Sequence, residues 1–550
     1  MTALLLAAML VPLALALVQG WRAGAWAVER LAPWAPLPAL VLALVAPAGT
    51  IFEAPWLLLG SRFGVDDTGR VFLLLTALMW LLAGWFARGY MAGDAARTRF
   101  RGFFLVTQAG NLALCLSLDA GSFYLAFAIM TFAAYGLIVH SGSGEARRAG
   151  AVYLVMAVLG EGALLAGILL LTQLGATTWD FATLATGQIG GVAAALLIAG
   201  FGIKVGLPLL HLWLPLAHPV APVPASAVLS GVMLKAGVLG WLRFLPLGVE
   251  ALPAAGSVLM IAGLVGMFFG VVAGLAQRDP KVLLAYSSIS QMGFLALGVG
   301  AGLVLPAAWP LLWPAVALYA LHHALAKSAL FLGVGAVDRH GANRATLALL
   351  ALPALALAGA PLTSGMLAKL ALKGGVVDLP APWPVVVDSL LPVAAIGTAL
   401  LMLRLFALLA HRQPSGGSVT GLLFPWGLLV AAGAVLPWWQ ATISDKVLKP
   451  AVLGDAAWPV LVAMLVAAAA RRWRGRWPAI PPGDLVVFPE RAVAWWRARG
   501  PRGGALRIGW PRGRGQAENL RGVERKLARW GTASALWLVL LVAGIINLLR

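Results

Sequence analysis

Apolar stretches of about 17 to 25 residues, each long enough to cross a bilayer as a helix, recur along almost the whole chain and are separated by short polar or basic breaks. In order they predict spans over 2–19, 36–52, 69–90, 100–118, 121–140, 150–172, 188–216, 224–246, 253–276, 282–304, 311–335, 345–374, 386–410, 419–438, 456–470 and 531–549, about sixteen transmembrane helices. The first, MTALLLAAMLVPLALALVQG, lacks the basic n-region of a signal peptide and leads into further spans, so it reads as a span itself. The seventh and twelfth are longer and interrupted by Pro or Gly. Proline removes a rung of the helix ladder, and irregular backbone survives at membrane depth only inside protein or beside water. The expected fold class is therefore all-α, a polytopic membrane protein with helices 7 and 12 broken.

The polar positions between spans add an orientation. Arg22, Arg30, Arg97, Arg99, Arg101, Arg147, Arg148, Arg278, Lys281, Arg339, Arg344 and Arg412 all follow odd-numbered spans, whereas the opposite loops are poor in Lys and Arg apart from Arg62, Lys446 and Lys449. The positive-inside rule makes the first face cytoplasmic and puts both termini outside. The chain divides into a transmembrane core over 1–440, an additional span in 441–470, a basic Trp/Arg-rich cytoplasmic segment over 471–530, and a C-terminal transmembrane helix in 531–550. In 471–530, runs such as RRWRGRW and AWWRARGPRGG suit the headgroup layer, the cation meeting anionic lipid and the indole sitting at the interface. A docking surface for a neighbouring subunit is the other reading of that segment.

Composition sharpens the class. Only 11% of the 550 residues are charged and 61% are hydrophobic, with a mean hydropathy of +0.91, far from the quarter charged of a soluble domain. A net charge of +20 could suggest nucleic acid, but the positive residues sit in short loops and one late segment, so no nucleic-acid partner is expected. The single cysteine, Cys115, excludes an intrachain disulfide and any Cys-rich zinc or iron–sulfur site. No cofactor, metal or catalytic centre is expected in this chain.

The candidate chemistry lies inside the spans. A lysine at a helix centre in hydrocarbon costs about 2.5 to 3.5 kcal/mol on insertion scales, so such residues face a protein interior or water and mark ion paths. Lys204 and Lys235 flank the proline-rich crossover of residues 201–243; Glu161 sits in the sixth span, His323 and Lys327 share a helix face in the eleventh, and Lys369 follows a Pro361/Gly365 break in the twelfth. These six are the candidate proton-translocation residues. Lys373, one turn after Lys369, is a candidate relay or a snorkelling lysine. His211 and His218 in the crossover either relay protons or brace the loop, and a metal site made with His322 lacks any accompanying carboxylate or thiolate. Lys204 and Lys369 lie in broken spans of opposite membrane direction, the sequence appearance of two inverted repeats. Burial lowers a lysine's proton affinity and a nearby carboxylate restores it, so moving one contact switches it.

These residues resemble the proton-conducting antiporter-like membrane subunits shared by respiratory complex I, Mrp-type cation/proton antiporters and membrane-bound hydrogenases. HLWLPLAHPVAPVPASAVLSG with a lysine on either side is similar to the family's signature for spans 7 and 8, QRDPKVLLAYSSISQMG (277–293) to its span 9–10 turn, and HHALAKSALFL and GMLAK to its span 11 and 12 sites. The resemblance covers about residues 55 to 440. It implies that Lys204 is the broken-helix lysine, Lys235 the central relay, His323 and Lys327 the linkers and Lys369 the terminal site. One departure stands out: in FYLAFAIMTFAAYGLIVH, Ala128 occupies the place of the span 5 glutamate that in the family pairs with the broken-helix lysine, while Tyr135 and His140 remain aligned. Glu161 is the nearest replacement. The resemblance implies a multi-pass subunit in a bacterial cytoplasmic (inner) membrane, working with other membrane subunits of an NADH:quinone oxidoreductase-like or hydrogenase-like complex. The alternatives are an Mrp-type sodium/proton antiporter subunit, an inorganic-carbon uptake membrane subunit, which would be expected to lose the lysine after SAVLSG, or a non-conducting membrane anchor of a redox module.

Overall fold

A computed structural model describes residues 1–47, 49–58, 60–173, 179–184, 189–414, 421–440 and 445–470, with 480, 481 and 483. The basic segment expected over 471–530, apart from those three residues, and the final span expected in 531–549 lie outside the described residues. The chain is mostly helical, 79%. In order come α1 (Thr2–Val18), α2 (Arg22–Leu31), α3 (Leu37–Val45), β1 (Thr50–Ala54), β2 (Ser61–Val65), α4 (Asp67–Tyr90), α5 (Arg97–Leu116), α6 (Ala120–Ile138) and α7 (Gly144–Gln173). They are followed by α8 (Phe181–Leu184), α9 (Gly191–Val205), α10 (Leu214–Val220), α11 (Val223–Val228), α12 (Leu234–Phe244), α13 (Pro253–Leu275), α14 (Pro280–Val304) and α15 (Trp309–His340). Last are α16 (Arg344–Ala358), α17 (Ser364–Gly375), α18 (Trp383–Leu409), α19 (Leu423–Gln440) and α20 (Pro450–Ala470). Among the described residues, 10 helices or joined helical stretches are long and apolar enough to cross a membrane, and four shorter apolar helices accompany them.

The second expected span is corrected. Its helix stops at Val45, and residues beyond it form an antiparallel hairpin, Thr50 opposite Val65 and Ala54 opposite Ser61. Pro47 follows directly, and the β-branched and aromatic pattern of TIFEA and SRFGV favours strands. The fold is therefore not purely helical. The stretch Gly24–Val45, built from α2, a 3-10 turn and α3, supplies the apolar crossing there instead.

α14 and the membrane stretch of α15 are buried along their length. α13 packs against α14 at backbone distance because Gly256, Gly263 and Gly270 recur every seventh residue: a methyl group added at each would fall 2.6, 2.6 and 2.5 Å from the carbonyl oxygens of Gly300, Gly293 and Tyr286. Small residues in this register let helix backbones approach.

Both expected breaks are present and are built alike. α9 ends at Gly206 (φ +83) and α16 at Gly359 (φ +82), and each glycine is followed by a proline and then a leucine with positive φ, Leu209 at +69 and Leu362 at +60. Leu207 N–H donates to the Gly202 carbonyl and Ala360 N–H to the Leu355 carbonyl, both at 3.0 Å, closing the helix end the same way in each case. The sequence Gly-x-Pro-Leu is common to both. Glycine takes the left-handed position without strain; the leucine does so at a cost of about 1 kcal/mol or more.

The loops sort into two ends. Glu29 meets Arg97 and Arg101, Asp94 meets His140, and Arg412 pairs with Asp338, joining loops that carry the basic residues. At the other end Asp66 pairs with Arg243, Arg62 with Asp180, and Asp119 accepts from Arg62 N–H at 2.7 Å.

Candidate functional site

The last turn of α9 holds Lys204, 4% exposed, with Nζ 3.5 Å from the Tyr153 hydroxyl and 5.2 Å from the centre of the Phe127 ring. Tyr153 in turn donates to the Thr131 carbonyl at 2.7 Å. α7 brings Glu161, 5% exposed, to the same place, with the Thr131 side chain as its hydrogen-bonding neighbour. Glu161, Lys204, Thr131, Tyr153 and Trp213 line one cavity of about 20 Å³, room for about one water. Ala128 lies next to Phe127 on α6 but does not line the cavity. A buried carboxylate is stabilised when it is paired or hydrogen-bonded, and a buried ammonium, the Thr131 side chain and a water-sized space all share this cavity with Glu161.

At the centre, a π turn over Leu229–Met233 joins α11 to α12. Nζ of Lys235 donates to the Ser230 carbonyl within that turn at 2.7 Å, a backbone acceptor of the kind π turns leave available at functional sites. The turn lies hard against α15: a methyl group added at Gly231 would sit 2.0 Å from Ser328 Oγ. Lys327 donates to the Leu284 carbonyl at 2.9 Å, and Ser288 Oγ donates to that carbonyl at 3.0 Å. The hydroxyls of Ser230 and Ser288 are 2.8 Å apart. His323 is fully buried, and its ring nitrogens have no hydrogen-bond partner among the described residues.

At the second break, Lys369 on α17 reaches back to the last carbonyls of α16, donating to Ala358 at 2.7 Å and Leu357 at 3.4 Å. A cation on the carbonyl end of a helix is favoured by the helix dipole. Its Nζ also lies 5.6 Å from the centre of the Phe294 ring, which stacks on Tyr319. His322 Nδ1 and Ser364 Oγ are hydrogen-bonded at 2.8 Å, and the charges of Lys369 and Lys235 act on this imidazole.

The structure thus brings Glu161 to Lys204, keeps His323 one helical turn from Lys327 on α15, and seats Lys369 on the second break. Lys373 lies apart, in an ion pair with Asp388 in which both side chains are substantially exposed. His218 stacks on Phe331 at 4.6 Å, and His211 lies 4.9 Å from Phe269 in the crossover. Among the described residues no group of three or more His, Cys, Asp or Glu could hold a metal. Sequence reasoning missed Tyr153, Ser230, Ser288 and the role of His322 as the contact to the second break; the HH pair was the available signal, since consecutive helix positions face different neighbours. Lys281, expected in a basic loop, instead lies in the first turn of α14 and donates to the Ala221 carbonyl at the end of α10 at 2.6 Å.

Residues 117–393 match the family model described as NADH:quinone oxidoreductase/Mrp antiporter, TM. Hydrogenase-4 component B of Escherichia coli (strain K12) is 32% identical over 303 residues, 52% of this chain and 44% of that protein, so the chain spans less than half of that relative's length. NADH-quinone oxidoreductase subunit N of Desulforudis audaxviator (strain MP104C) is 31% identical over 377 residues, covering 64% of this chain and 72% of that protein. In fold, the chain is similar to a chain of the membrane-bound sulfane sulfur reductase, an archaeal respiratory membrane complex, with a TM-score of 0.68 at 22% identity over 85% of this chain and 99% of the other. The matched region contains both breaks, the π turn and all six candidate residues, and the chain belongs to the NADH:quinone oxidoreductase/Mrp antiporter transmembrane family.

Proposed function

We propose that this chain translocates protons across a bacterial cytoplasmic membrane as one membrane subunit of a larger redox-driven or antiporter assembly. The observation that carries the reading is the row of three buried lysines, Lys204, Lys235 and Lys327, and the half-buried Lys369, accompanied by the buried His322 and His323; Lys235, Lys327 and Lys369 donate to backbone carbonyls and Lys204 to the Tyr153 hydroxyl. A structural anchor has no use for four lysines inside its spans, three of them buried, at the cost each carries in lipid. A lysine on a carbonyl can give up its proton and remain in place, and a histidine can accept and donate between two of them. Glu161 supplies the carboxylate that Ala128 cannot, holding Lys204 protonated when close and releasing it when apart. Lys373, His211 and His218 serve at the margins of this row.

The two breaks, each a Gly-x-Pro-Leu turn beside its lysine, support a pair of inverted repeats. In this reading the fold has about sixteen spans, the last in 531–549, with both termini outside and 471–530 on the cytoplasmic side against anionic lipid. Partners are the neighbouring membrane subunits; protons are the transported ion, with sodium exchange the alternative.

The test is proton pumping by vesicles carrying the assembled complex. Lys204→Ala, Lys235→Ala and Lys369→Ala should each abolish pumping without preventing assembly, and Lys373→Ala should be milder. Near-normal pumping by all three severe variants removes the proton path. Repeating the assay with and without sodium separates pumping from exchange.

A further inference from the structure

Away from the lysine row, at the end of the bundle that carries the basic loops, α2, α4 and α5 line a cavity of about 50 Å³ in which Arg88, Arg97, Arg101 and Glu29 meet Phe100 and Phe104. We propose that this cavity binds the phosphate of an anionic phospholipid. Three arginines and one carboxylate line it, and that carboxylate holds only two of them, loosely, at 3.6 Å from Arg97 and 3.9 Å from Arg101. Arg101 is fixed from the other side, Nε donating to Gln19 Oε1 at 3.0 Å. Arg88 is exposed and makes no hydrogen bond or ion pair among the described residues. The rim is therefore short of negative charge, and guanidinium forks match phosphate oxygens. The space exceeds what one water needs but falls far short of a lipid chain, which suits a phosphate-sized group.

What lies beside the cavity decides between a lipid and a free anion. Leu31, Trp34, Leu37, Val41 and Leu44 are exposed in a strip running from the end of α2 along α3, three to four residues apart. Such a strip offers acyl chains a bed continuous with the cationic mouth. Trp26 is exposed on α2 with the Arg30 guanidinium 4.0 Å over its ring, the pairing expected where indole and cation meet headgroups. The basic loops also mark the face where anionic lipid is concentrated.

The full chain, purified in a neutral detergent, is titrated with phosphatidylglycerol, phosphatidylcholine or inorganic phosphate and followed by native mass spectrometry. One phosphatidylglycerol should bind tightly and phosphatidylcholine should not. Each guanidinium removed should weaken binding about fivefold, so Arg88→Gln is the mild variant and Arg88→Gln with Arg97→Gln the severe one. Glu29→Gln should tighten phosphatidylglycerol by a similar factor, which a purely structural ion pair does not predict. Arg88 has no partner to lose, so its variant keeps the fold intact. Equal binding of both lipids, or unchanged phosphatidylglycerol affinity in the double variant, overturns the proposal. Displacement of the lipid by millimolar inorganic phosphate overturns the lipid assignment and leaves a simple anion site.

Discussion

Glu161 is a buried carboxylate sharing a water-sized cavity with Thr131 and a buried lysine. Glu161→Gln should cut proton pumping about as severely as Lys204→Ala. Ala128 lies one residue from Phe127 of the cavity wall, so Ala128→Glu should partly restore a Glu161→Gln protein; normal pumping by Glu161→Gln alone would remove the carboxylate from the mechanism. Outside the spans, Asp94 shows a pH dependence whose sign can be worked out. Partial burial raises its carboxyl, but the hydrogen bond from His140, the Ala96 amide and the charges of His140 and Arg99 outweigh it and hold the group below its usual range. A depressed carboxyl stabilises the fold above its unfolded value and loses that contribution as pH falls through the lower folded value. The melting temperature should therefore drop on acidification below the ordinary aspartate range, and Asp94→Asn should flatten that part of the profile while lowering stability at neutral pH. An identical acid limb in the variant would assign the effect to other groups.

The two breaks are where element-scale reading of the sequence worked, because proline and glycine act on the backbone directly and Gly-x-Pro-Leu needs no tertiary context to end a helix. Two other elements were hidden for physical reasons. TIFEA reads as the tail of an apolar span until its partner SRFGV pairs with it, and a strand pairing is not visible in one strand. The π turn at Leu229–Met233 has no residue signature, since it arises where Gly231 must pass Ser328. The second break also makes a prediction. Gly359 has φ +82, and a methyl group there would lie 2.8 Å from Lys369 Nζ. Gly359→Ala should strain the turn by about 1 kcal/mol and push the lysine off the α16 carbonyls, so pumping should fall toward the level of Lys369→Ala with Lys369 itself intact. Full activity would mean that the seat on Ala358 and Leu357 is dispensable.

Across the whole molecule, the alternation of basic and poor loops was legible because charge sets orientation span by span, and the structure gathers those loops at two ends. The lysines were legible only as a list; their seats depend on long-range partners such as Leu284 of α14 for Lys327 and Ala358 of α16 for Lys369, which no single segment encodes. For orientation, a phosphatase fusion at Arg550 should be active and a fluorescent fusion there dark, and the reverse would refute the parity. The heptad of glycines on α13 has a mechanical consequence. Backbone laid on backbone leaves no side chains to slide, so α13 and α14 behave as one stiff plank running through the bundle. The two breaks at Leu209 and Leu362 carry no such backbone-to-backbone seam, so the plank is the fixed frame beside which they stand.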